Sequence, residues 1–295
     1  MSEPTVADLQ PLPSNYQSSR DEWDVLIGED SARPLIDAIT SNDATGLQDL
    51  LRQMQWTSVA LEKPHIIYSE HRRRQHEGEV RDVSAMPMLN LTRFVIIAGK
   101  GGHAATLATL YGFAKQHGVK LSDLRTRWAI DRTIKSGSAA AVEAMVSADP
   151  GAASLRISHG TFPLDLAMKL RHHDIVSVLL RHGADPSPAA NDRREALMAS
   201  LLAIAAMRQD KELVEQLLDH GCPIPKSGAL HRAAQVGALD VVRLFLERGA
   251  DVHELLDKAT LSPSDQDLLS TWTPVDFAAN NGQSEAVQLL KNNGA

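Results

Sequence analysis

Of the 295 residues only one is a cysteine, Cys222. That excludes an internal disulfide framework and any zinc site built on several cysteines, and it fits a reducing compartment. Aromatic residues are scarce, at 4%, although hydrophobic residues as a whole reach 43%. A single large core is usually filled by rings, so this balance favours short helices packed through Ala, Leu and Val. No run is long and apolar enough to cross a membrane. The first residues, MSEPTVADLQ, lack the basic and apolar halves of a secretory signal. Positive charge is also in deficit. The net charge is -7 and the pI about 5.9, which makes nucleic acid an unfavoured partner. Cytoplasm or nucleus is the expected location.

What the chain does have is a repeat. Residues 273–295 read TPVDFAANNGQSEAVQLLKNNGA. Thr273 suits a helix cap and Pro274 its first turn, and Gly282 ends the helix. A second apolar helix follows and stops at Gly294. The same order occurs in residues 229–251, ALHRAAQVGALDVVRLFLERGAD, and in residues 163–185, PLDLAMKLRHHDIVSVLLRHGAD. Two such short helices cannot bury themselves alone, so they require copies on either side.

The pattern resembles the ankyrin repeat, with its T-P-L-H-x-A signature and a period of about 33 residues. With the first Ala of the A-A pair as a ruler, seven anchors fall at Ala38, Ala98, Thr133, Ala167, Ala205, Ala233 and Ala278. The second helices are expected to bury Leu47/Leu50/Leu51, Leu107/Leu110, Val142/Met145/Val146, Ile175/Val176/Leu179/Leu180, Leu213/Val214/Leu217/Leu218, Val241/Val242/Phe245/Leu246 and Val287/Leu290. The resemblance implies an all-α solenoid of about seven helix-turn-helix repeats with short β-turn tips. It covers residues 31–295, after a disordered tail at 1–30. Two insertions interrupt it. One, near 57–88, carries Arg72–Arg74 among carboxylates and is expected to be a charged loop. The other, near 254–269, is acidic, with a short helix expected.

The signature is kept unevenly. Only Thr273-Pro274 preserves the T-P pair, and only His231 the signature histidine; Asp131, Asp165 and Asp276 stand there in other repeats. In the family, that Thr and His tie neighbouring loops together, so the lateral network is expected to weaken, above all in the first three repeats.

Chemistry is harder to find. Gly99-Lys100-Gly101-Gly102-His103 suggests a phosphate loop, but it lacks the G-x-x-x-x-G-K-[ST] spacing and a preceding strand. Twelve histidines include the adjacent His172 and His173, and His65, His71 and His76 in the first insertion. None has metal-ligand spacing. No Ser/His or Cys/His pairing stands out, and Cys222 sits in a turn. We therefore expect no catalytic residue, no cofactor and no metal.

A basic column is the stronger signal. In the family, the two residues after the A-A pair face the concave groove. Here Lys100, Lys135 and Lys169 take the first of these places in repeats two to four, Arg208 follows one place along in repeat five, and Arg127 lies on the same side. Neighbouring helices about 8–10 Å apart would hold these charges within about one Debye length, so their fields add. Trp272, at a turn tip near Asn280 and Asn281, is a further binding candidate. The resemblance implies an interaction module that grips a protein partner with an acidic surface. An enzyme or metabolic accessory factor with a site in the groove and the 57–88 loop is one alternative. A polyanion binder using the lysines and Arg72–Arg74 is the other.

Overall fold

The computed structural model describes residues 32–63, 65–69, 83–87, 89–157, 161–186, 200–256 and 270–295. Among these, helices α1 (Arg33–Thr40) and α2 (Ala44–Leu51) form a first pair. Helix α3 (Met54–Leu61) and an antiparallel ladder, β1 (His65–Ser69) with β2 (Val83–Pro87), follow. Then come α4 (Asn90–Lys100) and α5 (Ala104–Gln116), the single turn α6 (Leu121–Leu124), and α7 (Arg127–Lys135) and α8 (Ala139–Ala148). The later pairs are α9 (Pro163–Leu170) with α10 (His173–Arg181), α11 (Leu201–Met207) with α12 (Lys211–Asp219), α13 (Ala229–Val236) with α14 (Leu239–Glu247), and α15 (Pro274–Asn280) with α16 (Ser284–Asn292).

Among the described residues the fold is all-α apart from one ladder, with seven helix pairs at the seven anchors. The first insertion is therefore not a plain loop: α3 occupies its start, and β1 pairs with β2 from His65↔Pro87 to Ser69↔Val83. The tail at 1–30, Arg72–Arg74 and most of the second insertion lie outside the described residues.

Residues 1–136 and 137–295 form two compact units. In the first, α4 packs between α1 and α7, and α2 packs on α5. In the second, α13 packs between α11 and α15, while α8, α10, α12, α14 and α16 pack in succession. Six of the anchors, Ala98, Thr133, Ala167, Ala205, Ala233 and Ala278, are fully buried. A small side chain there lets first helices approach closely, as α4 and α7 do in the first unit and α11, α13 and α15 do in the second. The apolar positions of the second helices are buried as the pattern requires, except Leu50, Leu218, Leu246 and Val287, which are half-buried.

Each pair turns in the same way. Four residues past the anchor the backbone is left-handed: Asn42, Gly102, Gly137, Arg171, Gln209, Gly237 and Gly282 have φ between 56° and 74°. Glycine takes this conformation without strain, whereas a side chain there costs about 1 kcal/mol. The next residue caps the second helix. Asp43, Ser138 and Asp210 accept there from the backbone N–H of Gly46, Ala141 and Leu213.

Lateral hydrogen bonds persist where the signature residues are missing. In the first unit, His103 Nδ1 lies 2.8 Å from the Ile39 carbonyl, Thr106 donates to Asn42 Oδ1, Asn90 Nδ2 to the Val59 carbonyl and Thr92 to the Asp123 carbonyl. The aspartates that replace the histidine act locally instead. Asp165 accepts from the Phe162 N–H and Asp276 from the Thr273 N–H, both at 2.8 Å. Burial raises the Asp165 carboxyl above its ordinary range, opposed by that hydrogen bond and by Lys169.

Candidate functional site

The basic column sits at the C-terminal ends of the first helices, where carbonyl groups favour cations. Lys100, Lys135 and Lys169 are exposed. Lys135 Nζ reaches Asp131 Oδ2 at 2.9 Å, one turn back on α7, so part of its charge is compensated. Arg127, also exposed, opens α7 and so stands at the other end of that helix from Lys135, outside the column; its guanidinium stacks 4.8 Å from the centre of the Trp128 ring.

Two predicted residues are committed within the fold. Arg208 is half-buried, and its Nη1 donates to the carbonyl of Met168 at 2.7 Å. It braces the α11–α12 turn against the end of α9. Trp272 is likewise not an exposed anchor. It is half-buried, with its ring edge-to-face on Phe277 at 5.6 Å, and Phe277 in turn meets His231 at 5.4 Å. A sequence column shows which positions leave the helix surface. It does not show which backbone carbonyl or ring of a neighbouring repeat will meet the side chain.

Three adjacent positions, two to four residues past each anchor, line every turn. They comprise Thr40–Asn42, Lys100–Gly102, Lys135–Gly137, Lys169–Arg171, Met207–Gln209, Gln235–Gly237 and Asn280–Gly282, and none of them is buried. Across these seven triplets stand five cations, Lys100, Lys135, Lys169, Arg171 and Arg208, and no carboxylate. At the chain's composition of 37 acidic residues in 295, roughly two or three carboxylates would be expected there. Arg171 escapes a sequence reading confined to the first two positions. Its signal is a basic residue in a place that the turn geometry reserves for glycine.

The other candidate chemistries have structural explanations. Gly99 and Lys100 close α4, Gly101 and Gly102 make the turn, and His103 precedes α5, so a helix stands where a phosphate loop needs a strand. His173 bridges to Asp210 at 2.8 Å and Glu212 at 3.3 Å, and His182 to Glu143 at 2.7 Å, with Arg181 on the same carboxylate. The hydrogen bond from His182 comes first among the influences that lower the Glu143 carboxyl. These contacts join the second helices of consecutive repeats. Among the described residues, no three His, Cys, Asp or Glu side chains converge on a metal position, and no helix is long and apolar enough to cross a membrane.

Cys222 is buried, with Sγ 3.5 Å from the Pro186 carbonyl. Burial, with Asp185 adding to it, raises the thiol to about 11. The thiolate is the reactive form. Ellman's reagent should therefore modify this residue very slowly in the native protein and at once in guanidinium; immediate native labelling would contradict this placement.

Three family models match the sequence: ankyrin repeat over residues 159–192, ankyrin repeats (3 copies) over 190–255, and ankyrin repeats (many copies) over 230–290. This is an ankyrin-repeat protein. The matches cover the repeats anchored at Ala167, Ala205, Ala233 and Ala278, and the helix pairs at Ala38, Ala98 and Thr133 have the same anchor and turn geometry upstream. No curated protein matches the chain. Ankyrin repeats are in general protein–protein interaction modules.

Proposed function

We propose that this ankyrin-repeat protein is a non-catalytic adaptor or regulatory scaffold that holds a protein partner with an acidic surface against the ends of its first helices. The observation that supports this reading is the charge of the turn triplets: five cations and no carboxylate, on a chain whose acidic residues outnumber its basic ones. Complementary charge of this kind steers encounter and fixes register more than it adds raw affinity. The contribution of Arg208 is reduced by its bond to Met168, and that of Lys135 by Asp131. Lys169 and Arg171, both exposed, therefore carry more weight than their number suggests.

The test is affinity capture from nuclease-treated extract by the wild type and by a Lys100→Glu/Lys135→Glu/Lys169→Glu variant, with circular dichroism confirming that both are folded. We expect a partner held by the wild type and released in the variant, with capture falling as salt rises. Equal capture by both proteins removes the lysines from the interface. Loss of capture on nuclease treatment alone supports the polyanion reading instead.

A further inference from the structure

Within the second unit, one step of this surface differs from the rest. Most turn triplets are polar, but the fourth and fifth pairs expose large apolar side chains: Leu170 is 38% and Met207 47% accessible. Few large apolar side chains are exposed elsewhere among the described residues, only Met54 and Leu255. Leu170 and Met207 also lie on consecutive pairs, at the ends of α9 and α11.

They are held in relation to one another. The Arg208 guanidinium, next in sequence to Met207, is bonded to the carbonyl of Met168, two residues before Leu170. This one bond ties the turn that carries Met207 to the end of α9 that carries Leu170, and less freedom is lost when a ligand settles there. Cations border them. Lys169 precedes Leu170 and is exposed, and Arg171 follows it in the left-handed conformation at φ 61°. Four of the seven pairs have glycine at that place. An exposed arginine gains no packing there to offset the strain of the left-handed backbone.

Of the four carboxylates nearest in sequence, three are engaged and Asp174 is exposed. Asp165 is held by the Phe162 N–H. Asp210 is shared between His173 and the Leu213 N–H, and Glu212 also meets His173. Asp174 lies on the first turn of α10.

Deepening the proposed function, on which it rests, we infer that Lys169, Leu170, Arg171 and Met207 form a docking step for an acidic peptide segment. A large apolar side chain of that segment lodges between Leu170 and Met207, and carboxylates on either side of it meet Lys169 and Arg171. The flexible thioether of Met207 suits an apolar partner of variable shape. A polyanion such as nucleic acid would use the cations and leave both apolar side chains uncovered, which is why a peptide fits this place better.

The experiment pans a random linear peptide library on the full-length protein and measures selected, fluorescein-labelled peptides by polarisation. The expected winners carry Asp or Glu around a Leu, Phe or Trp. Their affinity should fall by about tenfold in Leu170→Ser/Met207→Ser, in line with the loss of roughly one buried apolar contact. Arg171→Gly should weaken them by about fivefold, on the scale of one charge pair, while melting at a temperature equal to or above that of the wild type. This second variant separates binding from folding, because the same change relieves the backbone and removes the contact.

Winners that bind both variants as tightly as the wild type, winners without acidic residues, or no enrichment would each overturn the proposal. If winners resist these substitutions but are lost on Lys100→Glu/Lys135→Glu, the broader interaction reading stands and this docking step falls.

Discussion

Acidification from neutral pH to about 4 should cost this protein roughly 3 kcal/mol through one residue, His231. Its side chain is fully buried, with Nε2 2.9 Å from the carbonyl of Glu254, 23 residues ahead. It ties α13 to the loop that leads toward the last repeat. Burial lowers the imidazole from 6.5 to about 4; Arg232 adds slightly to this, and the backbone of Glu254 and Trp272 pulls the other way. In the unfolded chain, the ring takes its proton as the pH falls through about 6.5, while in the folded protein it stays neutral until about 4. Between those values the unfolded state binds more protons, so stability is complete above the window and declines through it as the pH drops. A separation of that size corresponds to about 3 kcal/mol. Below the window both states are protonated and this residue contributes no further loss.

The measurement is urea denaturation of the wild type and of His231→Gln from pH 7.5 down to pH 4.5. Gln keeps a donor for the Glu254 carbonyl and does not titrate. Every other ionisable group is present in both proteins and cancels in the difference. The wild type should lose stability relative to the variant by close to one proton's slope across the window. Parallel curves would show that His231 is protonated in the folded protein.

The repeat was the most legible part of this sequence because it is written redundantly. A small residue at the anchor, a left-handed turn four places on and an apolar second helix recur in each pair, so Ala38, with no recognisable signature around it and an insertion after its repeat, is still located by the Leu47/Leu50/Leu51 pattern that follows it. The β1–β2 ladder was not legible. HIIYS and VSAMP are short runs separated by a charged stretch, and pairing at that distance depends on backbone closure more than on periodicity. The site was half legible. The exposed column follows from helix geometry, so Lys100, Lys135 and Lys169 could be named. The fates of Arg208 and Trp272 depend on the Met168 carbonyl and the Phe277 ring, which belong to other helices or later turns. Met207 stood in the lysine column and Leu170 one place after its lysine, and their exposure becomes meaningful only once the Arg208 bond to the end of α9 is seen.

Gly99→Ala should destabilise the first unit by about 1–2 kcal/mol, and adding Thr133→Ala should restore it. Gly99 lies in the last turn of α4, buried against α7. A Cβ added there would stand 2.2 Å from Thr133 Oγ1 and 3.4 Å from the Ala129 carbonyl. Thr133 has little room to yield. It is buried, β-branched and bonded through Oγ1 to the Ala129 carbonyl at 2.6 Å. Overpacking of this kind costs about 1–3 kcal/mol, and the gain in helix propensity from Gly to Ala, about 1 kcal/mol, offsets only part of it. The third anchor is threonine where the other six are alanine, and the residue after the second anchor is glycine where other repeats carry Ala, Ile or Met. These two departures are one accommodation: the side chain missing on α4 makes room for the hydroxyl and methyl on α7. Thr133→Ala alone should therefore also destabilise, by about 1 kcal/mol, because it leaves a void facing a glycine. The double variant gives positions 99 and 133 the Ala and Ala that the equivalent positions Ala206 and Ala233, and Ala234 and Ala278, carry in the second unit, and should match or exceed the wild type. A double-mutant cycle by chemical denaturation would then give a coupling of about 2 kcal/mol or more. Additive losses would mean that α4 and α7 can separate to admit the methyl group, and that the close approach at Gly99 is not required for the two helices to pack.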